Sequence, residues 1–161
     1  MQAFISSRLD YCNALLHGIS DGLMPRLQLV LNAAARLITG TPHRDHISPI
    51  LRQLHWLPVC HRVTFKIAVL VFQCLTSQAP AYLADDCQLT SDVRIRRLQL
   101  TDTAMCIVRR SNNTFGVRWI ASTGLCLWNR LPANLWQCDN LRQFKWLLKT
   151  HLFGSWDRGA L

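Results

Sequence analysis

The stretch from Pro58 to about Gln78 constrains the fold most, because its apolar residues are enough to cover most of the circumference of a helix. The apolar residues recur at intervals of three and four and cover two faces of a helix: Val59, Val63, Phe65, Ile67, Val69, Leu70, Val71, Phe72 and Cys74. Only Arg62, Lys66 and Gln73 form a polar strip. A helix that is apolar nearly all round is a buried helix, so we expect other helices to surround this one.

Helical periodicity continues on both sides of this central helix. The pattern predicts further helices over residues 1–17, from Pro25 to a stop at Gly40, over 49–54, over 115–130, and over 141–153 with a stop at Gly154. The first of these starts without a capping residue, so we expect it to be truncated at its N-terminus. The sequence therefore predicts a mainly α fold. We expect a helical, bundle-like single domain over residues 1–161, with a short extended or hairpin segment near residues 93–110.

Positive charge is concentrated in the second half of the chain. Lys and Arg number 18 against 9 Asp and no Glu, and residues 91–161 carry 11 of these bases but only 4 acids. An Arg-rich surface favours a polyanionic partner, although many basic surfaces simply face water. The candidate nucleic-acid contacts are Arg94, Arg96, Arg97, Arg109, Arg110, Arg142, Lys145 and Lys149. The last three share one face of the final helix.

Several classes of protein are disfavoured by the sequence. The longest apolar run, from Ile67 to Phe72, is too short to span a membrane. Seven cysteines are scattered without a C-x-x-C pair or a secretory signal, so we expect reduced thiols in an intracellular protein of the cytoplasm, the nucleus or both.

No residue constellation in the sequence indicates catalysis, a metal site or a cofactor. The pair Asp85-Asp86 resembles a polymerase metal site, but it follows a helix end and lacks a third carboxylate. A group of metal-capable side chains matches no zinc-binding spacing: His43, His46, His55, Cys60 and His61. We therefore expect no catalytic residue, no metal ligand and no cofactor in this chain.

Four stretches, taken together in their order and spacing, carry a family resemblance. They are residues 7–13 (SRLDYCN), 27–37 (LQLVLNAAARL), 45–47 with 54–59 (DHI and LHWLPV), and 127–132 (LWNRLP). This set resembles the C-terminal region of reverse transcriptases from LINE-type (non-LTR) retrotransposons of the jockey-like group. The closing segment, 144–153, fits the end of the same family.

The resemblance implies a parent protein that is an RNA-directed DNA polymerase. The whole chain, 1–161, would then be a single segment that follows the polymerase palm, and the catalytic Asp residues would belong to the part upstream. The resemblance therefore implies that this chain alone is not an enzyme. It implies contact with template RNA or an RNA–DNA hybrid, and an upstream polymerase domain as a partner. Because the second half is rich in Arg, we expect this contact to be made there and to be weak and salt-dependent.

Two alternatives remain open from the sequence. Besides a nucleic-acid-binding segment, the sequence is compatible with a helical module that docks on another protein through its apolar first helix. It is also compatible with a decayed retroelement remnant without a selected function. Convergence of Arg94, Arg96, Arg97, Arg109, Arg110 and Arg142 on one face would favour nucleic acid. Scattering of these residues, or pairing with Asp, would favour protein docking.

Overall fold

The fold is mainly α, as the sequence predicts. The computed structural model describes residues 7–11, 13, 22–85, 87, 89, 105–108 and 120–157. Residues 7–10 are helical. The helices that follow are α1 (Leu23–Thr39), α2 (Ile47–Gln53), α3 (Val59–Leu75), α4 (Ala81–Ala84), a π-helical turn (Ile120–Gly124) continuous with α5 (Leu125–Asn129), α6 (Ala133–Trp136) and α7 (Leu141–Asp157). None of these helices is long and apolar enough to cross a bilayer.

The end of α1 follows its sequence signal, whereas α3 ends earlier than the sequence predicts. Gly40 adopts a left-handed backbone (φ 68°), and its N–H donates to the Arg36 carbonyl, which closes α1 where the sequence predicts. α3 ends at Leu75, three residues before the predicted end. There, Ser77 has a positive φ of 56°, and the Thr76 hydroxyl donates to the Phe72 carbonyl at 2.9 Å.

The predicted stop at Gly154 is wrong, because α7 continues to Asp157. The extra turn has its own contacts, which outweigh the low helix propensity of glycine. The Arg52 guanidinium lies 5.6 Å from the centre of the Trp156 ring, and Phe153 is 6.3 Å from the same ring.

Several segments predicted from the sequence lie wholly or partly outside the described residues. Residues 1–6, 12 and 14–17 of the first predicted helix lie outside them, as do 115–119 and the segments 93–104 and 109–110. Residues 105–108 are the described part of the predicted extended or hairpin segment. One of them, Cys106, forms an antiparallel bridge with Leu89, which precedes that segment.

The chain divides into two compact units, and the first comprises residues 1–66 and 149–161. Its core is a cluster of buried side chains from α1, α2, the α2–α3 connection and the start of α3: Leu31, Ala35, Ile50, Leu51, Trp56 and Val59. Burial of each large apolar side chain is worth about 1.5–3 kcal/mol. This core holds the α2–α3 connection, which carries the candidate site, against α1.

The second unit comprises residues 67–148 and is built on an aromatic cluster. Phe72 and Phe144 stack with their ring centres 4.4 Å apart, and Trp128 lies 5.7 Å from Phe144. The Asn129 side chain pairs with both backbone groups of Cys106, accepting its N–H at 2.8 Å and donating to its carbonyl at 2.9 Å. Two residues of the 127–132 stretch therefore stabilise the interior of this unit: Trp128 packs against Phe144, and Asn129 hydrogen-bonds to Cys106.

Candidate functional site

A cavity of about 560 Å³ lies beside the N-terminal half of α3, within the first unit. We call it the Arg62 cavity. Its walls come from the 7–13 segment, the α2–α3 connection, α3 and α7: Asp10, Asn13, Leu54, His55, Trp56, Leu57, Arg62, Phe65, Lys66 and Lys149. Three of these side chains are cationic and one is a carboxylate.

Arg62 is buried and held in one orientation by three contacts. It is only 9% exposed. Its Nε donates to the Leu57 carbonyl at 3.0 Å, and its Nη1 donates to Asp10 Oδ1 at 2.9 Å. The guanidinium carbon also lies 5.7 Å from the centre of the Trp56 ring. Among the described residues Nη2 has no hydrogen-bond partner, so one edge of the guanidinium is left to donate to a ligand.

The α2–α3 connection supplies two of these contacts because of its backbone path. α2 ends at Gln53, and His55 then takes a left-handed conformation with φ 53°. That turn is closed by His55 N–H to the Arg52 carbonyl at 2.8 Å and Trp56 N–H to the Leu51 carbonyl at 2.7 Å. The chain therefore turns sharply before α3, which places the Trp56 ring and the Leu57 carbonyl beside Arg62.

Lys66 and Lys149 add two more positive charges to the cavity wall. Lys66 is exposed and lies one turn after Arg62 on α3, whereas Lys149 is half-buried on α7. Burial lowers the pKa of Lys149, and repulsion by Arg62 lowers that pKa further. Asp10 is the one carboxylate among the described wall residues, and it is already paired with Arg62. The site has excess positive charge, which an anion would compensate.

Asn13 adds a buried polar group to the same wall. It is 2% exposed, and its Nδ2 lies 3.5 Å from Asp10 Oδ1. Its Oδ1 has no hydrogen-bond partner among the described residues. A buried acceptor without a partner costs about 1–3 kcal/mol, and unpartnered polar groups are uncommon in folded proteins, although the buried Arg36 Nε is a second one among the described residues.

The candidate contacts proposed from the sequence are distributed as follows. Arg94, Arg96, Arg97, Arg109 and Arg110 lie outside the described residues, so their convergence stays a prediction. Arg142 and Lys145 are exposed on α7. Lys149, predicted to share their face, is half-buried and lines the Arg62 cavity.

Sequence reasoning missed Asp10, Asn13, Arg62 and Lys66 as site residues. One signal was present, since Arg62 and Lys66 interrupt an otherwise apolar helix. A second signal was the resemblance itself, because the SRLDYCN and LHWLPV stretches both supply walls of the cavity.

The Asp pair and the metal-capable side chains noted in the sequence are placed as follows. Asp85 is exposed at the end of α4, and Asp86 lies outside the described residues. Over the part of the chain that the structure describes, no three His, Cys, Asp or Glu side chains are placed to hold a metal ion.

No family model, no curated protein and no solved structure matches this chain. The Arg62 cavity and the sequence resemblance are therefore the two grounds on which a function can be assigned.

Proposed function

We propose that this chain is a non-catalytic, nucleic-acid-binding segment that holds a backbone phosphate of RNA or an RNA–DNA hybrid in the Arg62 cavity. The observation that carries the proposal is the composition of the cavity wall, with three cations against a single carboxylate that is already paired. Phosphate contacts dominate the affinity of most nucleic-acid-binding proteins.

The geometry of Arg62 suits a phosphate oxygen. Its Nε and Nη1 are occupied by Leu57 and Asp10, so the guanidinium is fixed before any ligand arrives. The remaining Nη2 hydrogens can then donate with little further loss of side-chain entropy. Lys66 and Lys149, as flexible point charges, can adjust to the other phosphate oxygens.

The resemblance supports an origin for such a segment. In a LINE-type reverse transcriptase, the polymerase upstream would carry the catalytic carboxylates, and this region would hold template RNA or the hybrid. The chain would then add affinity to the polymerase and take no part in phosphoryl transfer.

The proposal is tested by the salt dependence of binding. Fluorescence anisotropy of a labelled single-stranded RNA, and of an RNA–DNA hybrid, would be measured at several salt concentrations. Each phosphate neutralised contributes about 0.7 to 0.9 to the slope of log affinity against log salt. Both lysines face the same phosphate, so the double variant Lys66→Gln/Lys149→Gln should lower the slope by up to about 0.7 to 0.9.

The matched control removes the same charge from the same unit but away from the cavity. Arg26→Gln/Arg44→Gln changes two exposed arginines of the first unit and should leave the slope nearly unchanged. A third variant, Arg142→Gln/Lys145→Gln, tests the exposed bases of α7. Equal slopes for the cavity variant, its control and the unmodified chain would reject the Arg62 cavity as a phosphate site.

One observation favours protein docking as a second candidate function. α1 exposes an apolar stripe, with Leu29 67%, Val30 57% and Leu37 70% exposed. Such a stripe is typical of a surface that contacts another protein. Association through it would persist at high salt and weaken in Leu29→Ser/Leu37→Ser, as measured by sedimentation velocity. Nucleic-acid binding, by contrast, should weaken at high salt and should be unchanged in Leu29→Ser/Leu37→Ser.

A further inference from the structure

Cys60 and His61 form a hydrogen-bonded pair in the first turn of α3. Cys60 Sγ lies 3.2 Å from His61 Nδ1. Both residues line a second cavity, of about 330 Å³, which lies within the first unit. We call it the Cys60 cavity. Its other walls include apolar side chains and two amides: Met24, Leu51, Trp156, Gln28 and Asn32.

The direction of the proton in this pair follows from Ser155. The Ser155 hydroxyl donates its one hydrogen to the Leu152 carbonyl at 2.9 Å. The same oxygen lies 3.4 Å from His61 Nε2, so it accepts a hydrogen bond from Nε2–H. A neutral imidazole with its hydrogen on Nε2 has a lone pair on Nδ1. The Cys60 thiol therefore donates to Nδ1, and His61 is placed to take its proton.

Burial keeps both partners neutral, and it also makes His61 a weaker base and Cys60 a weaker acid, so the thiol loses its proton only as the sulfur attacks. Burial lowers the pKa of His61, so the imidazole is neutral at physiological pH and free to accept a proton. Burial raises the pKa of the Cys60 thiol, while the backbone N–H groups of His61 and Cys60 lower it to a smaller extent. The thiolate therefore forms as His61 takes the proton, and those N–H groups stabilise the sulfur charge that develops.

The Cys60 cavity selects the class of reactant. No charged side chain lines it among the described residues, which favours an uncharged molecule. Gln28 Nε2 donates to Asn32 Oδ1 at 2.8 Å, and this bond fixes the Asn32 amide. The Asn32 Nδ2 hydrogens have no partner among the described residues and can donate to a carbonyl oxygen.

We propose that Cys60 is a covalent modification site for small, uncharged α,β-unsaturated carbonyl compounds. Cys60 Sγ attacks the β-carbon, and the electron pair of the C=C bond moves towards the carbonyl to give an enolate. His61 Nδ1 takes the thiol proton and returns it to the α-carbon. The product is a saturated thioether, so the step has no leaving group and uses no oxidant. It does not depend on nucleic-acid binding.

The test uses the whole chain with N-ethylmaleimide, an uncharged unsaturated carbonyl compound, and follows alkylation of each cysteine by peptide mass spectrometry. Cys126 is exposed and serves as the internal reference. Burial, which raises the pKa of the Cys60 thiol, would by itself make Cys60 slower than Cys126; with His61 as the base, Cys60 should react faster. General bases typically contribute 10²–10⁴-fold, so His61→Gln should slow Cys60 by at least about tenfold and leave Cys126 unchanged. His43→Gln, an exposed histidine of the same unit, should change neither rate.

Two further readouts show whether the variants remain folded and whether Ser155 orients His61. Cys74 and Cys138 are buried, so their protection in each variant shows that the second unit remains folded, and circular dichroism reports on the helices as a whole. Ser155→Ala should also slow Cys60, because it releases His61 from the tautomer that accepts the thiol proton. The proposal is overturned if Cys60 reacts no faster than Cys126, or if His61→Gln and Ser155→Ala both leave the ratio of the two rates unchanged.

Discussion

Asp10→Asn is the substitution that separates the binding role of the Arg62 cavity from its structural role. Asp10 Oδ1 accepts from Arg62 Nη1 at 2.9 Å, and the Asp10 side chain is 45% exposed. Asparagine has nearly the same shape and can still accept this hydrogen bond through its amide oxygen. The substitution therefore removes one negative charge from the cavity wall and little else.

The expected changes in binding and in stability have opposite signs. Two unit charges 4 Å apart interact by about 4 kcal/mol at an effective dielectric constant near 20. A phosphate on Arg62 Nη2 would lie farther from Asp10, and water screens the half-exposed carboxylate, so about 1 kcal/mol is a reasonable gain, or about fivefold in affinity. A neutral hydrogen bond replaces a charge-assisted one, so the free energy of unfolding should fall by about 1 kcal/mol.

The assay pairs RNA binding by anisotropy at fixed salt with urea unfolding of the same protein. Asp45→Asn is the matched control, because Asp45 is exposed and belongs to the same unit. It changes the net charge by the same amount and should leave affinity nearly unchanged. If folded Asp10→Asn binds RNA no more tightly than Asp45→Asn, phosphate does not bind beside Arg62.

Three further outcomes follow from single residues. Phe144→Ala should lower the free energy of unfolding by about 3–5 kcal/mol in urea titrations, because Phe144 is fully buried against Phe72; a loss below about 1 kcal/mol would contradict that packing. Two glycine substitutions should change the free energy of unfolding in opposite directions, as measured by thermal unfolding. An added Cβ meets nothing within 4 Å at either site, but only Gly40 has a positive φ. Gly40→Ala should therefore lower the free energy of unfolding by about 1–2 kcal/mol, and Gly154→Ala should raise it by about 0.5–1 kcal/mol. RNA affinity should fall as pH rises through the lowered pKa of Lys149, below the ordinary 10.5, whereas Lys149→Arg, always charged, should show a smaller fall; equal pH profiles would exclude Lys149 from the contact.

Local signals in the sequence predict most of the described helices. α3 follows from its apolar periodicity, and the end of α1 follows from a glycine that readily adopts a left-handed backbone. The signal at Gly154 fails because the deciding interaction is not local. Trp156 contacts Arg52, a residue far away in sequence, and periodicity carries no information on such a contact.

The candidate site is harder to predict for the same reason. The strip formed by Arg62 and Lys66 is visible in the sequence, but the Asp10 that pairs with Arg62 lies 52 positions away. Helical spacing groups Lys149 with Arg142 and Lys145. Spacing describes the face of one helix, however, and carries no information on what packs against that face. The structure shows that Lys149 lines the Arg62 cavity.

The proposed phosphate binding would account for the Asp10–Arg62 pair better than stability does. The pair is a weak source of stability, because Arg62 is buried and the cost of removing its charge from water offsets much of its attraction to the half-exposed Asp10. Apolar residues of similar size would fill the same space at no such cost. The pair nevertheless lies on a wall that also carries Lys66, Lys149 and a buried Asn13 with an unsatisfied oxygen. The half-buried charge of Lys149 is unfavourable for an empty cavity, whereas the Asn13 oxygen, as an acceptor, gains no hydrogen bond from a phosphate. The excess positive charge becomes favourable once a phosphate occupies the Arg62 cavity, because the anion compensates the charge that Asp10 leaves unpaired.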